Sequence, residues 1–286
     1  MVKQKVIIIL GQTATGKSSL AVKIAKKING EIISADSRQV YKNLDIGTGK
    51  ILEKEMRGIP HHLLDVTNPK HKFNVSEYQK QAIYTIAEII KRGRVPIICG
   101  GTGFYIDAIT KGIVFPEVPP NAKLRKILEK KSEIELLKIL KKLDYARAKN
   151  IDIKNKVRLV RAIEIARALG KVPKITALPP LYEFIKIGLY LPADKLKKKV
   201  EKRVKKMFQV GLLNEIKKLK KAGISEKRLR EFGFEYNEPT QEKVILETIK
   251  YAKRQMTWFK RDSKIKWFED SDLALLSVSH NFKNNR

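Results

Sequence analysis

Val6-Ile7-Ile8-Ile9-Leu10 runs directly into Gly11-Gln12-Thr13-Ala14-Thr15-Gly16-Lys17-Ser18, and Leu20-Ala21-Val22-Lys23-Ile24-Ala25 follows. The octet fills Gly-x-x-x-x-Gly-Lys-[Ser/Thr] at every fixed position, with a strand-like run before it and a helix-like run behind it. That context gives the P-loop its physics. Backbone N–H groups at a helix start wrap a phosphate, and the helix dipole favours negative charge there. Lys17 adds a point charge, and the Ser18 hydroxyl is placed to hold Mg2+. Which phosphates sit there is a separate question.

Outward from the P-loop, Glu31-Ile32-Ile33-Ser34-Ala35-Asp36 reads as a second strand. A polar, Gly-containing stretch follows, then a helical segment with Ile83, Ile86, Ala87 and Ile90 on one face. Arg94 to Cys99 reads as a third strand, closed by Gly100-Gly101-Thr102-Gly103. This alternation predicts an α/β fold with a parallel sheet and ligands at the strand carboxyl ends. The pattern changes at Pro116-Glu117-Val118-Pro119-Pro120, beyond which a Lys-rich helical region without strand signals extends to about Gly170. Pro179-Pro180 marks its exit, and Ile185 to Leu191 resumes the sheet. The expected organisation is a core of residues 1–115 and 185–286 with an all-helical insertion at 116–184. Two further helices are expected at about 193–222 and 240–260, then a frayed tail.

The 286 residues suit two domains, or one core with a large insertion, and 43% hydrophobic content supports a packed interior. Lys and Arg number 61 against 30 Asp and Glu, a net charge of +31. A nucleic-acid partner explains such an excess, and so does the general abundance of Lys, Ile and Asn; composition favours neither. A single cysteine, Cys99, excludes an internal disulfide and a cysteine-based zinc site. Met1 to Lys5 leads straight into the first strand, and no apolar run approaches the ~18 residues a membrane span needs. A cytoplasmic protein without a membrane partner is expected.

Asp36 ends the second strand, so its carboxylate reaches the sheet edge that carries the P-loop. There it suits a general base, or simply a turn residue. Ser37, Arg38, Gln39 and Tyr41 crowd the same rim. The third strand ends without the carboxylate that organises Mg2+ and water in a P-loop ATPase, which argues against hydrolysis. Its glycines allow close approach of a ligand, and Thr102 can offer a hydroxyl. Arg203 lies on the inward edge of the stripe Leu196, Val200, Val204, Met207, where a guanidinium must meet an anion or snorkel out. Lys197, Lys198, Lys202 and Lys206 point elsewhere. Arg158 and Arg161 share a helix face and suit either an RNA phosphate or an Arg161–Glu164 ion pair. His61-His62-Leu63-Leu64-Asp65 reads as loop-shaping, because adjacent histidines do not readily share a metal. Trp258-Phe259 suits base stacking or packing on the core.

Taken in order, GQTATGKS, DSRQVY (36–41), HHLLD (61–65), GGTGFY (100–105), VRLVRAIE (157–164), RVKKMFQVGLLNE (203–215) and AKRQMTWFKR (252–261) resemble the tRNA dimethylallyltransferase (IPP transferase) family. The resemblance spans about residues 5–262. It implies a P-loop kinase-like core whose helical insertion grips the tRNA anticodon stem-loop. The implied reaction moves a dimethylallyl group from dimethylallyl diphosphate to N6 of the adenosine at position 37, beside the anticodon, in tRNAs reading codons that begin with U. It also implies roles. Asp36 is the general base, and Thr102 contacts substrate near the reacting centre. Gly11, Gln12, Thr13, Ala14, Thr15, Gly16, Lys17, Ser18 and Arg203 bind the diphosphate, with Mg2+ on Ser18. Asp36, Ser37, Arg38, Gln39, Thr102, Arg125, Val157, Arg158, Leu159, Val160 and Arg161 contact tRNA. A monomer is expected. Base flipping is expected too, since the adenine must leave its stack. Three departures stand out. Gln12 replaces the usual Pro and is expected to loosen the start of the P-loop. Ser18 replaces the commoner Thr. Gly233-Phe234-Glu235-Tyr236 matches the usual Gly-Tyr-Lys-Glu only loosely. The alternative is an ATP-dependent small-molecule or nucleoside kinase, in which Asp36 deprotonates a hydroxyl.

Overall fold

The computed structural model describes residues 3–174 and 176–283. Eight strands occur among them: β1 (Lys5–Gly11), β2 (Gly30–Ser34), β3 (His61–His62), β4 (Val95–Cys99), β5 (Ile113–Val114), β6 (Thr176–Ala177), β7 (Glu183–Leu189) and β8 (Lys266–Phe268). Six form one sheet in the order β3-β2-β4-β1-β7-β8, every neighbouring pair parallel. Burial on both faces explains why β1 is a continuous apolar run rather than an alternating one. Ile7 and Ile9 pack with Leu20 and Ile24 of the helix Lys17–Ile28. Ile8 packs to the other side with Ile86 and Ile89 of the helix Val75–Lys91. Asn74 and Glu77 close a capping box that starts the latter helix.

Several expectations need correction. The single helix expected over 193–222 is two, Ala193–Gln209 and Leu212–Lys221. They part at Gly211, whose φ of 108° a residue with a side chain rarely adopts. The tail carries secondary structure, β8 and a helix Ser271–Lys283 that buries Ala274 and Val278 beside the helix Lys17–Ile28. Its last three positions lie outside the described residues. HHLLD is partly a strand, since β3 extends the sheet with His61 opposite Ile32 and His62 opposite Ile33.

The chain divides into two compact units, Met1–Gly112 with Pro179–Arg286, and Ile113–Leu178. These limits lie a few residues from the expected 116 and 184. The second unit packs the helices Ala122–Leu128, Glu133–Leu143, Tyr145–Lys149 and Lys156–Leu169 around Leu136, Leu140, Leu159 and Ile163. It is not all-helical: β5 pairs antiparallel with β6, Ile113 opposite Ala177. Two-residue strands leave no periodicity in a sequence, and this pairing joins positions over sixty residues apart.

Candidate active site

Because β1, β4 and β2 are parallel and adjacent, the P-loop, the Gly100–Thr102 turn and Asp36 emerge at one sheet edge. Backbone bonds tie the three exits together: Ala35 N to Cys99 O at 2.8 Å, Gly100 N to Ile9 O at 3.0 Å, Thr102 N to Ala35 O at 3.1 Å. Gly100 is obligatory for this approach, since a Cβ there would lie 2.2 Å from the Ala35 carbonyl oxygen.

The start of the P-loop is fastened, not loosened. Gln12 N donates to Leu189 O at 3.3 Å, and Gln12 Oε1 accepts from Leu191 N at 2.9 Å. The backbone bond would be unavailable to proline, so Gln12 adds two ties to the exit of β7. Thr13 N donates to Gln255 Oε1 at 2.7 Å. The N–H groups of Gln12 and Thr13 are therefore spent inside the protein, which narrows the expected eight-residue cradle. Those of Ala14, Thr15, Gly16, Lys17 and Ser18 have no acceptor among the described residues. Lys17 Nζ folds onto the Gln12 carbonyl, and burial draws its pKa down to about 8 with Arg203 acting in the same direction. Ser18 is exposed at the mouth.

Arg203 turns inward, as its position on the apolar stripe predicts. Its Nη1 donates to Thr13 Oγ1 and its Nη2 to Thr48 O, both at 3.2 Å. Among the described residues no carboxylate lies within ion-pair distance of it. Burial lowers its pKa, opposed by Glu235 and Asp36. A guanidinium stays charged at any working pH, so this is a half-buried cation with no carboxylate partner among the described residues.

Asp36 is a turn residue, with one carboxylate oxygen left over. Its Oδ1 accepts from Arg38 N at 2.9 Å and Gln39 N at 3.4 Å, an Asx turn. Its Oδ2 has no hydrogen-bond partner among the described residues. Thr102 precedes the helix Gly103–Thr110 yet makes no capping bond with its side chain. Its Oγ1 instead accepts from Ser37 N at 3.0 Å and reaches Ser37 Oγ at 3.4 Å. Thr102 thus braces the residue beside Asp36. Gln39 accepts from Ser34 Oγ at 3.1 Å and points its amide to the Thr48 and Gly49 carbonyls, both at 3.5 Å. Arg38 borders Gly233 together with Glu235. Burial pushes the Glu235 carboxyl up to about 7, against the pull of Arg38 and Arg203.

Gln255 escaped sequence reasoning although it sits in a quoted motif. Buried on the helix Gln241–Phe259, it accepts from Thr13 N and donates to Gly101 O at 3.0 Å, bolting the P-loop to the glycine turn. Trp258-Phe259 is structural: Phe259 is core, and Trp258 packs on Phe104 under Arg261. His62 Nε2 donates to the Glu31 carboxylate at 2.6 Å, and Asp65 pairs with Lys50.

In the second unit, Arg125 forks onto the buried Glu164 with two 2.7 Å bonds, and Arg161 joins at 3.4 Å while donating to Val118 O. Arg158 is exposed, 3.8 Å from Asp152. Val157 is 79% exposed, whereas Leu159 and Val160 are buried. The latter two cannot present side chains to RNA, because the helix turns them into its core; this corrects their expected contact.

A β1–P-loop–helix unit, five loop N–H groups without an acceptor among the described residues, two half-buried cations and a carboxylate at one sheet edge define an α/β protein of the P-loop class with an anion-binding site. The sequence matches the family described as IPP transferase over residues 39–262. It is 38% identical to the tRNA dimethylallyltransferase of Anoxybacillus flavithermus, over 94% of this chain and 91% of that protein. The identity is again 38% with the protein of that name from Carboxydothermus hydrogenoformans, over 96% and 95%. Among solved structures, the full-length tRNA isopentenylpyrophosphate transferase of Bacillus halodurans superposes with a TM-score of 0.72 at 34% identity, covering 99% of this chain and 96% of that one. A eukaryotic dimethylallyltransferase acting on tRNA gives 0.82 at 26% identity, covering 99% and 80%. The chain belongs to the IPP transferase family.

Proposed function

We propose that the chain, acting in the cytoplasm, transfers the dimethylallyl group of dimethylallyl diphosphate to N6 of adenosine 37, 3′-adjacent to the anticodon, in tRNAs reading codons that begin with U. One observation carries the reading. Arg203, a half-buried cation with no carboxylate partner among the described residues, stands with Lys17 beside loop N–H groups that have no acceptor there, on the edge that bears Asp36. Such a cradle holds a diphosphate, and its electrostatic pull is greatest as the diphosphate departs.

In the reaction the N6 lone pair forms the new C–N bond as the allylic C–O bond breaks. The diphosphate leaves with that electron pair, and the amine proton passes to Asp36. The turn that occupies Oδ1 leaves Oδ2 to take it. Thr102 and Ser37 hold this turn against the glycine loop. Mg2+ fits as an ion carried by the diphosphate. Ser18 offers one hard oxygen at the mouth, and the described residues contain no group of three or more His, Cys, Asp or Glu suited to a resident metal. When bound, it neutralises diphosphate charge. In the second unit, exposed Val157 and Arg158 are the side chains of that helix best suited to the anticodon stem-loop, with Arg125 and Arg161 giving their hydrogen bonds to Glu164.

The test is incubation with unmodified tRNA, Mg2+ and either labelled dimethylallyl diphosphate or labelled ATP. Allyl label on tRNA is expected. Label passing from ATP to a small acceptor would instead identify a kinase.

A further inference from the structure

Glu215 is buried on the helix Leu212–Lys221, and no cation among the described residues pairs with it. Its carboxylate is saturated by four donors. Oε2 accepts from Asp45 N at 3.0 Å and Ile46 N at 2.7 Å, and Oε1 accepts from Gly47 N at 3.1 Å and Tyr236 Oη at 2.9 Å. Three consecutive N–H groups of one loop are thus gripped by one side chain. The next residues of that loop meet Arg203. Thr48 O receives its Nη2, and a Cβ on Gly49 would lie 2.3 Å from the same nitrogen. Tyr236 belongs to the segment where this chain departs from its family's pattern, and its ring packs so close to Gly47 that a Cβ there would approach within 2.6 Å.

We propose that Glu215, fastened by Tyr236, is a positioning residue for diphosphate binding: its grip on Asp45, Ile46 and Gly47 sets the Thr48–Gly49 backbone that aims Arg203 at the P-loop. The inference rests on the diphosphate reading of the site. A wall of backbone suits this task because a carboxylate partner would neutralise the cation that the anion needs. Glu215 provides the negative charge one step removed, where backbone N–H groups absorb it.

Glu215→Gln keeps the shape and removes acceptor capacity. Its full-length variant should bind inorganic diphosphate roughly tenfold more weakly, as loss of charge-assisted bonds predicts, and raise KM for dimethylallyl diphosphate in step. Affinity for unmodified tRNA should stay within about twofold. Combined with Arg203→Lys, it should weaken diphosphate binding little beyond Arg203→Lys alone, because both act through one guanidinium. Tyr236→Phe, which removes one of the four bonds, should shift the same quantities less and in the same direction; it serves if Glu215→Gln does not fold. Wild-type diphosphate affinity in a folded variant, equal losses for diphosphate and tRNA, or additive effects with Arg203→Lys would each overturn the inference. Diphosphate binding by the parent protein without allyl transfer would instead count against the proposed reaction.

Discussion

One oxygen of Asp36 is spent on the Arg38 and Gln39 N–H groups, so its replacements separate two roles. Asp36→Asn keeps an acceptor for the turn but cannot take a proton. It should fold and bind tRNA like the parent while losing roughly 10²–10⁴-fold in transfer rate, measured by allyl incorporation. Retention of more than about a tenth of the rate would remove Asp36 as the base. Lys17 gives a pH prediction. Its pKa in the free protein is drawn down to about 8, so its charge fades as pH rises through that value. Affinity for dimethylallyl diphosphate, titrated calorimetrically without tRNA, should weaken between about pH 7 and 9.5, and Lys17→Met should flatten the change. An unchanged slope would assign the titration elsewhere. Asp36, Thr102, Lys17 and Arg203 are legible in the sequence because each sits at a fixed place in a strand end, a turn or a helical stripe. Glu215 and Gln255 are not, since they act on backbone N–H groups 169 and 242 positions away.

The elements that carry the site are the ones whose period is long enough to read. β1, β2, β4 and β7 are each five or seven residues of mostly apolar sequence. β3 and β8, two and three residues long at the sheet edges, exist because a neighbouring strand offers them partners. The break at Gly211 was equally hidden: apolar positions continue across it, and only the backbone angle reveals two helices. At this scale Gln255 is the junction between the P-loop and the turn after β4. Gln255→Leu leaves the Thr13 N–H and the Gly101 carbonyl without that partner, which should cost about 1–3 kcal/mol in urea unfolding. It should also weaken diphosphate binding. Full stability in that variant would mean that the bolt is replaceable.

Across the whole molecule, the net charge of +31 admits two origins, an RNA partner or a Lys-rich composition, and salt distinguishes them. Binding of an unmodified anticodon stem-loop should fall linearly in log–log form with salt, and Arg158→Gln should lessen the slope by about one. A slope unmoved by that change would place Arg158 away from phosphate. Each unit has its own interior, with Leu136, Leu140, Leu159 and Ile163 wholly within the second. Leu159→Ala should therefore act as a core truncation, lowering stability by about 2–5 kcal/mol rather than removing an RNA contact.

Stoichiometry bears most directly on the central claim, that the P-loop holds a departing diphosphate. Without ATP, the protein should release one diphosphate for each allyl group fixed to tRNA, measured on the same sample. A requirement for ATP, or release of inorganic phosphate in place of diphosphate, would contradict it.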